Sequence, residues 1–301
     1  MDALSQLLSL YPMRTALDVR CHFGAPWVLD HAAAPTGIAP YHLIVRGTAR
    51  IDGDDGEPLQ AGDVVVFPHG AAHRLYTGDQ AQASPLRVSP AMLTYKDNEG
   101  DGPPTDILCG EFRFDADGAA GLLASLPATL VVRTAGHADA DGLRHLIGIL
   151  QTEAETPRPG SEAIMRQLAS ALFALLIRAW LQQALKVPGL FAVLAERRLQ
   201  AALNGMLAAP QQAWSLEDLA ALCHMSRATF ARLFKQAAGA TPADVLAQLR
   251  MARAARLLEN GKLAAGDIAE AVGYQSEAAF NRAFKRQYGV GPGAYRRQVP
   301  Q

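Results

Sequence analysis

Among the residues able to do chemistry, the most concentrated are the thiols and imidazoles of the first third of the chain. They are Cys21 in TALDVRC, His42 in YHLIVRG, His73 at the end of GDVVVFPHGAAH and Cys109 in DILCGEFRF. Neutral imidazole and thiolate are ligands that zinc prefers. A thiolate is also oxidised readily by two electrons, through sulfenic acid to a disulfide. Both groups are equally at home as buried filler. No C-x2-C spacing joins any pair, so spacing leaves metal ligand, redox thiol and packing residue all open for these four. His22 and His69 adjoin two of them and could serve in their place. The third cysteine, Cys223, falls on the inner face of a short helix and reads as packing, and His224 beside it reads as a surface residue at a turn.

The elements that must hold these groups are short. From about Tyr11 to Phe114 the chain alternates β-rich runs with Gly and Pro, the pattern of an all-β domain built as a small barrel or jelly roll. Between Ala81 and Asp106 a polar stretch carries Pro85, Pro90, Pro103 and Pro104 and reads mainly as a long surface loop. From Asp141 the period becomes helical. Ile164, Leu168, Ala171, Leu172, Leu175, Leu176 and Ala179 form an apolar stripe that must cover something, either the barrel or a second copy of the chain. KVPGL then ends the helix and opens a linker. The expected division is a barrel over 1–135, a helical dimerisation and linker region over 136–190, and an all-α domain over 191–301, giving an α+β multidomain chain.

Composition narrows the class. The 301 residues are 50% apolar, enough for two modest cores. A net charge of -1 conceals an asymmetry: from Arg197 onward about 14 Lys and Arg face about 7 Asp and Glu, so the C-terminal third wants an anionic partner. The start MDALSQLLSLYP is acidic and breaks at Pro12, unlike a signal peptide, and Arg178 interrupts the most apolar run, Leu168 to Leu185. Three cysteines are too few for a secreted disulfide framework. A cytoplasmic protein without a membrane partner is the expectation.

The C-terminal third repeats itself. LEDLAALCHMSRATFARLFKQAAGATP and AGDIAEAVGYQSEAAFNRAFKRQYGVGP each give a short helix, a turn, Ser-x-x-x-Phe-x-x-x-Phe-Lys on a second helix, then Gly and Pro. Ser215, Ser226 and Thr241 before Pro242 are N-cap signals. Phenylalanines four apart, Phe230 with Phe234 and Phe280 with Phe284, face inward together and leave a polar face outward. Two such units in a basic segment predict a duplicated helix-turn-helix, with a connecting helix of about 17 residues and roughly 26 Å. That length suits two helices entering successive major grooves of duplex DNA.

These residues resemble the DNA-binding domain of the AraC/XylS family of bacterial transcription regulators, down to IAEAVGYQSEAAFNRAFKRQYGVGPGAYR with its Pro292-x-x-Tyr295 ending. The resemblance implies DNA contacts from Arg227, Thr229 and Arg232 in the first unit and from Gln275, Ser276, Glu277 and Asn281 in the second, and Arg282 joins them as a residue of the polar face opposite the phenylalanines. Lys235, Lys285 and Arg286 would hold phosphates. It also implies a regulator and not an enzyme, with a homodimer and, for an activator, RNA polymerase as partners.

GDVVVFPHGAAH fits the second cupin motif, G-x5-P-x-G-x2-H, at Gly62, Pro68, Gly70 and His73, so the first domain resembles a cupin barrel. The two histidines and glutamate of the usual first motif are missing except for His42, which argues against a cupin enzyme. The resemblance places His42 and His73 inside the barrel and implies three alternatives. These are a Cys2His2 zinc site of Cys21, His42, His73 and Cys109, a metal-free thiol pair, and packing. MDALSQLL, Cys21 with Gly24 and Trp27, His42, the GDVVVFPHGAAHRL run, LCG and HMSRATFARLF are similar to the reactive-chlorine response subgroup of that family. This implies oxidation of Cys21 and Cys109 as the input signal. A small-molecule effector in the barrel is the alternative.

Overall fold

The computed structural model describes residues 2–11, 13–89, 94–114, 119–137, 140–156, 158–184, 187, 189–261 and 263–298. In chain order the elements open with α1 (Ala3–Leu10), β1 (Met13–Gly24), β2 (Trp27–His31), β3 (Ile38–Arg46), β4 (Thr48–Ile51), β5 (Leu59–Gln60), β6 (Val64–Val66) and β7 (His73–Thr77). They continue with β8 (Arg87–Ser89), β9 (Thr94–Asp97), β10 (Pro104–Phe114), α2 (Ala120–Leu123), β11 (Leu130–Val132), α3 (Asp141–Glu155) and α4 (Ser161–Gln183). Last come α5 (Gly189–Ala195), α6 (Gln200–Ala208), α7 (Leu216–Leu222), α8 (Arg227–Ala238), α9 (Pro242–Glu259), α10 (Ala265–Ala271), α11 (Glu277–Tyr288) and α12 (Pro292–Gln298). One compact unit comprises Met13–Phe114 with Pro127–Leu185. The other comprises Met1–Pro12, Asp115–Leu126 and Lys186–Gln301, so the N-terminal helix and the 115–126 segment group with the C-terminal helices and not with the barrel.

The barrel unit has a seven-stranded sheet, β11-β6-β3-β10-β1-β9-β8, and a four-stranded sheet, β2-β7-β4-β5. Its interior is a single cluster of Cys21, Phe23, Trp27, Leu29, Ile44, Val65, Phe67, Leu75, Ile107 and Cys109 with smaller neighbours. Strand alternation sends Cys21 and Phe23 inward and leaves His22 exposed between them. β3 is buried from Ala39 through Ile44 because both its faces are covered. Tyr41 on the outer face stacks on Phe112, and Phe173 of α4 meets Phe112 edge-on.

The stretch between Ala81 and Asp106 corrects the reading of a loop. It contains a 3-10 turn at Gln80–Gln82 and the strands β8 and β9, and β9 lies parallel to β1 with Lys96 opposite Cys21. Short, proline-flanked strands on a sheet edge carry little sequence signal, since prolines stand beside them and not within them.

The apolar stripe of α4 also divides. Met165, Ala169, Leu172, Phe173, Leu176, Ile177 and Trp180 are buried against β1, β11 and α3, while Ile164 and Ala171 are exposed and Leu168 and Leu175 half-buried. This helix is long and apolar enough to cross a membrane by length and composition, but its apolar side is used by the sheet. The start of β6 is fixed by buried Asp63. Its carboxylate accepts from Arg133 at 2.8 Å and from the amides of Gln60 and Thr134, while Gln183 of α4 brackets the backbone of Arg133.

In the helical unit the expected caps are all formed. Ser215 and Thr241 build capping boxes with Asp218 and Asp244, Ser226 and Ser276 accept from the amides of Thr229 and Ala279, and Gly239 and Gly289 close α8 and α11 in the left-handed conformation. Phe230, Phe234, Phe280 and Phe284 are fully buried. The connecting helix α9 has 18 residues, about 27 Å by helical rise.

The two helix-turn-helix turns need one left-handed residue each. Gly273 supplies it at φ +84° in the second, and His224 takes it at φ 52° in the first, a conformation that L side chains adopt at some cost. A Cβ on Gly273 would lie 2.6 Å from the Gln211 carbonyl oxygen. Gly273→Ala is therefore expected to destabilise the helical unit by about 1–3 kcal/mol, read from thermal denaturation. An unchanged melting temperature would contradict this packing.

Candidate functional site

The register of three strands assembles the first site. β10 lies between β1 and β3, with Cys109 directly opposite His42 and diagonal to Cys21, which pairs with Ile107. Diagonal neighbours on one sheet face remain within side-chain reach. The sulfurs of Cys21 and Cys109 stand 3.9 Å apart, and His42 Nδ1 is 3.0 Å from the Cys109 sulfur. On the facing sheet His31 pairs with His73 across β2 and β7. The two sheets meet where His42 Nε2 lies 2.7 Å from His73 Nε2, and His73 Nδ1 reaches the Ala71 carbonyl oxygen at 2.8 Å. Phe67 and His31 both stack on His73, with centroids 3.5 and 4.7 Å from that of its ring.

Burial sets the protonation of this chain. His42 is held well below the usual imidazole range by desolvation and by the neighbouring His73 and His31. Desolvation also brings His73 down to about 4, against a smaller opposing hydrogen bond that it donates to the Ala71 carbonyl oxygen. The neighbouring Cys21, together with burial, pushes the Cys109 thiol well up, and Lys96 opposes this. Both imidazoles and the Cys109 thiol are consequently neutral at physiological pH.

The four expected ligands thus come together, but not around one point. His42 spends Nδ1 on Cys109 and Nε2, on the other side of the ring, on His73. A single ion bound to both sulfurs and to Nδ1 would leave His73 outside its shell. Among the described residues no three His, Cys, Asp or Glu side chains form a group able to hold a metal ion. The arrangement is a hydrogen-bonded file from Cys21 through Cys109 and His42 to His73. His22 is exposed and pairs with Asp106 at 2.5 Å, and His69 is exposed on the turn, so neither substitutes for the inward residues. His31 and Lys96 were not singled out by their sequence. His31 follows Trp27 and Leu29 at period two, and that spacing marks it as facing inward.

Cys223 caps α7, half-buried, with its thiol raised by desolvation, and His224 is exposed. On α8 and α11 the residues expected to face a duplex are at the surface. Arg227, Thr229, Arg232, Lys235, Gln275, Ser276, Glu277, Arg282, Lys285 and Arg286 are exposed and Asn281 is half-buried. The Thr229 hydroxyl accepts from Ser226, and the Ser276 hydroxyl accepts from the Ala279 amide. Both are partly committed to their own helix ends.

A barrel closed by the Gly62–His73 turn, carried on the same chain as a duplicated helix-turn-helix, defines a sensor joined to a DNA reader. Residues 2–182 match the family model described as "Cupin", and residues 219–298 match the model described as "Helix-turn-helix domain". The chain is 36% identical to the RCS-specific HTH-type transcriptional activator RclR of Escherichia coli (strain K12), over 100% of this chain and 99% of that protein. It is 30% identical to the HTH-type transcriptional regulator MtrA of Neisseria gonorrhoeae, over 99% of each. It is 29% identical to the HTH-type transcriptional regulator AlkR of Acinetobacter baylyi (strain ATCC 33305 / BD413 / ADP1), over 99% of this chain and 100% of that one. The chain belongs to the AraC family of DNA-binding transcription regulators, as a member with an N-terminal cupin domain.

The burial of the thiol pair has a direct readout. With an alkylating reagent at neutral pH, Cys223 is expected to react slowly and Cys21 and Cys109 only after denaturation, as counted by mass spectrometry. Equal labelling of all three in the folded protein would contradict the buried site.

Proposed function

We propose that this chain is a redox-responsive transcription activator whose cupin barrel detects a two-electron oxidant of the hypochlorous acid class. The detecting group is the Cys21–Cys109 pair. The observation that carries the reading is the juxtaposition of two buried, unbonded thiols at 3.9 Å with an imidazole nitrogen at 3.0 Å from one of them. Full-length similarity to an activator named for this class of oxidant supports it. Closing the sulfurs to the bonding distance of about 2.05 Å draws β1 against β10, the two longest strands of the barrel. The result is a barrel of altered shape, and a signal reaches DNA to the extent that the two shapes favour different states of the whole regulator.

On the output side the exposed faces of α8 and α11 would enter the major groove. Arg227, Arg232, Gln275 and Asn281 have the donors and acceptors that read base edges. Lys235, Arg282, Lys285 and Arg286 would neutralise phosphates, and Thr229, Ser276 and Glu277 border the same surface at the helix N-termini. Activation makes RNA polymerase the further partner. The partly exposed stripe of Ile164, Leu168, Ala171 and Leu175 is the surface on which a second copy of the chain would pack.

Transcription from an operator selected out of a random duplex pool tests the input. Cys21→Ser and Cys109→Ser are expected to abolish the response to stoichiometric hypochlorite while the reduced proteins bind the operator as the parent does. A full response from both variants would sink the thiol reading. On the output side, Arg227→Ala should cost about 1–3 kcal/mol and relax selectivity at one base position. Lys285→Ala should weaken all sequences alike and lower the slope of log affinity against log salt by about 1. Equal behaviour of these two variants would contradict the division between base and phosphate contacts.

A further inference from the structure

Every proton in the barrel file has an assigned place, and one carbonyl fixes them all. The oxygen of Ala71 can only accept, so His73 Nδ1 carries a proton. A neutral His73 then accepts at Nε2, so the hydrogen in the 2.7 Å contact belongs to His42 Nε2. A neutral His42 accepts at Nδ1, so the hydrogen in the 3.0 Å contact is the Cys109 S–H. The remaining contact, at 3.9 Å, is then donated by Cys21 to the Cys109 sulfur. The two thiols are chemically unlike: the proton of Cys109 points at a base, and that of Cys21 points at another sulfur.

We propose that Cys109 is the resolving thiol of the pair, with His42 as the general base that takes its proton and His73 as the relay that carries the charge toward solvent. The inference rests on the oxidant-sensing reading and deepens it. Hypochlorous acid transfers chlorine to the Cys21 sulfur, and the thiol hydrogen leaves in the water that forms. The Cys109 proton then passes to His42 Nδ1, and the freed electron pair on sulfur attacks the Cys21 sulfur. The S–S bond forms, the S–Cl bond breaks and chloride leaves with its electrons. His42, now holding both ring protons, gives the one on Nε2 to His73 Nε2. His73 is half-buried and loses a proton to water. Two thiols are oxidised by two electrons overall, and one hypochlorous acid is reduced to chloride and water.

The test separates oxidation from closure. Full-length protein is mixed with one equivalent of hypochlorous acid, quenched at intervals, and assayed for disulfide and for a dimedone adduct on Cys21, which captures the sulfenic acid formed when the sulfenyl chloride hydrolyses. His42→Asn keeps an acceptor near the Nδ1 position, but an amide does not take a proton. His73→Gln keeps an acceptor for His42 Nε2 with the same limit. The expected result is oxidation of Cys21 at the parent rate in both variants. Closure is expected to slow by roughly 100-fold in His42→Asn, the scale of general-base catalysis, and by about tenfold in His73→Gln, with the dimedone adduct accumulating in proportion. Melting temperature and operator affinity of the reduced proteins serve as folding controls. Closure at the parent rate in folded His42→Asn overturns the base assignment, and an adduct found on Cys109 in place of Cys21 reverses the roles. If the parent itself forms no Cys21–Cys109 disulfide, the sensing reading fails and not merely the relay.

Discussion

The antiparallel register of β10 between β1 and β3 is the constraint on which the rest of the site depends. It puts Cys109 opposite His42 and diagonal to Cys21, and a slip of one residue would turn each side chain to the other face. Several features hold that register. Gly110 leaves room for Tyr41, whose hydroxyl would lie 2.5 Å from a Cβ there. Tyr41 stacks on Phe112, and Phe112 packs against Phe173 of α4. The outer face of the sheet is locked by aromatic packing so that its inner face can present a polar file within an apolar cluster.

Burying that file has a cost and a purpose. Desolvation keeps both imidazoles neutral, and the neighbouring Cys21 together with burial does the same for the Cys109 thiol, so resting Cys109 is a poor nucleophile toward weak oxidants. The same burial leaves each polar atom bonded to the next, which avoids the penalty of an unsatisfied group. On the proposed reading, a site built this way is quiet until a strong electrophile arrives. It then has a base in contact with the sulfur that must lose its proton.

What was legible in the sequence follows from how local the cause is. Ser215, Ser226, Thr241 and Ser276 cap helices through contacts three residues away, and the paired phenylalanines bury through a period of four, so the helical reader is visible in a short window. The Gly62–His73 motif is similarly local, since Gly62 and Gly70 both take the left-handed conformations their turns demand. The meeting of Cys21 with Cys109 spans 88 positions and depends on register, which no window contains. The four inward residues were identified by type, but their arrangement was not. A tetrahedral cage and a linear file use the same side chains, and only coordinates show that His42 faces two partners. Lys96 was hidden because its strand is short and lies in a polar, proline-rich stretch.

The measurement that tests the central claim most directly is non-reducing peptide mapping of the chain after one equivalent of hypochlorous acid. Trypsin cleaves after Arg20, Arg46, Lys96 and Arg113, which isolates Cys21 and Cys109 on separate peptides, with Cys223 on a third. The account predicts one cross-link, between peptides 21–46 and 97–113, with Cys223 still a free thiol. A cross-link through Cys223, or both barrel thiols recovered unlinked from the oxidised protein, would contradict it.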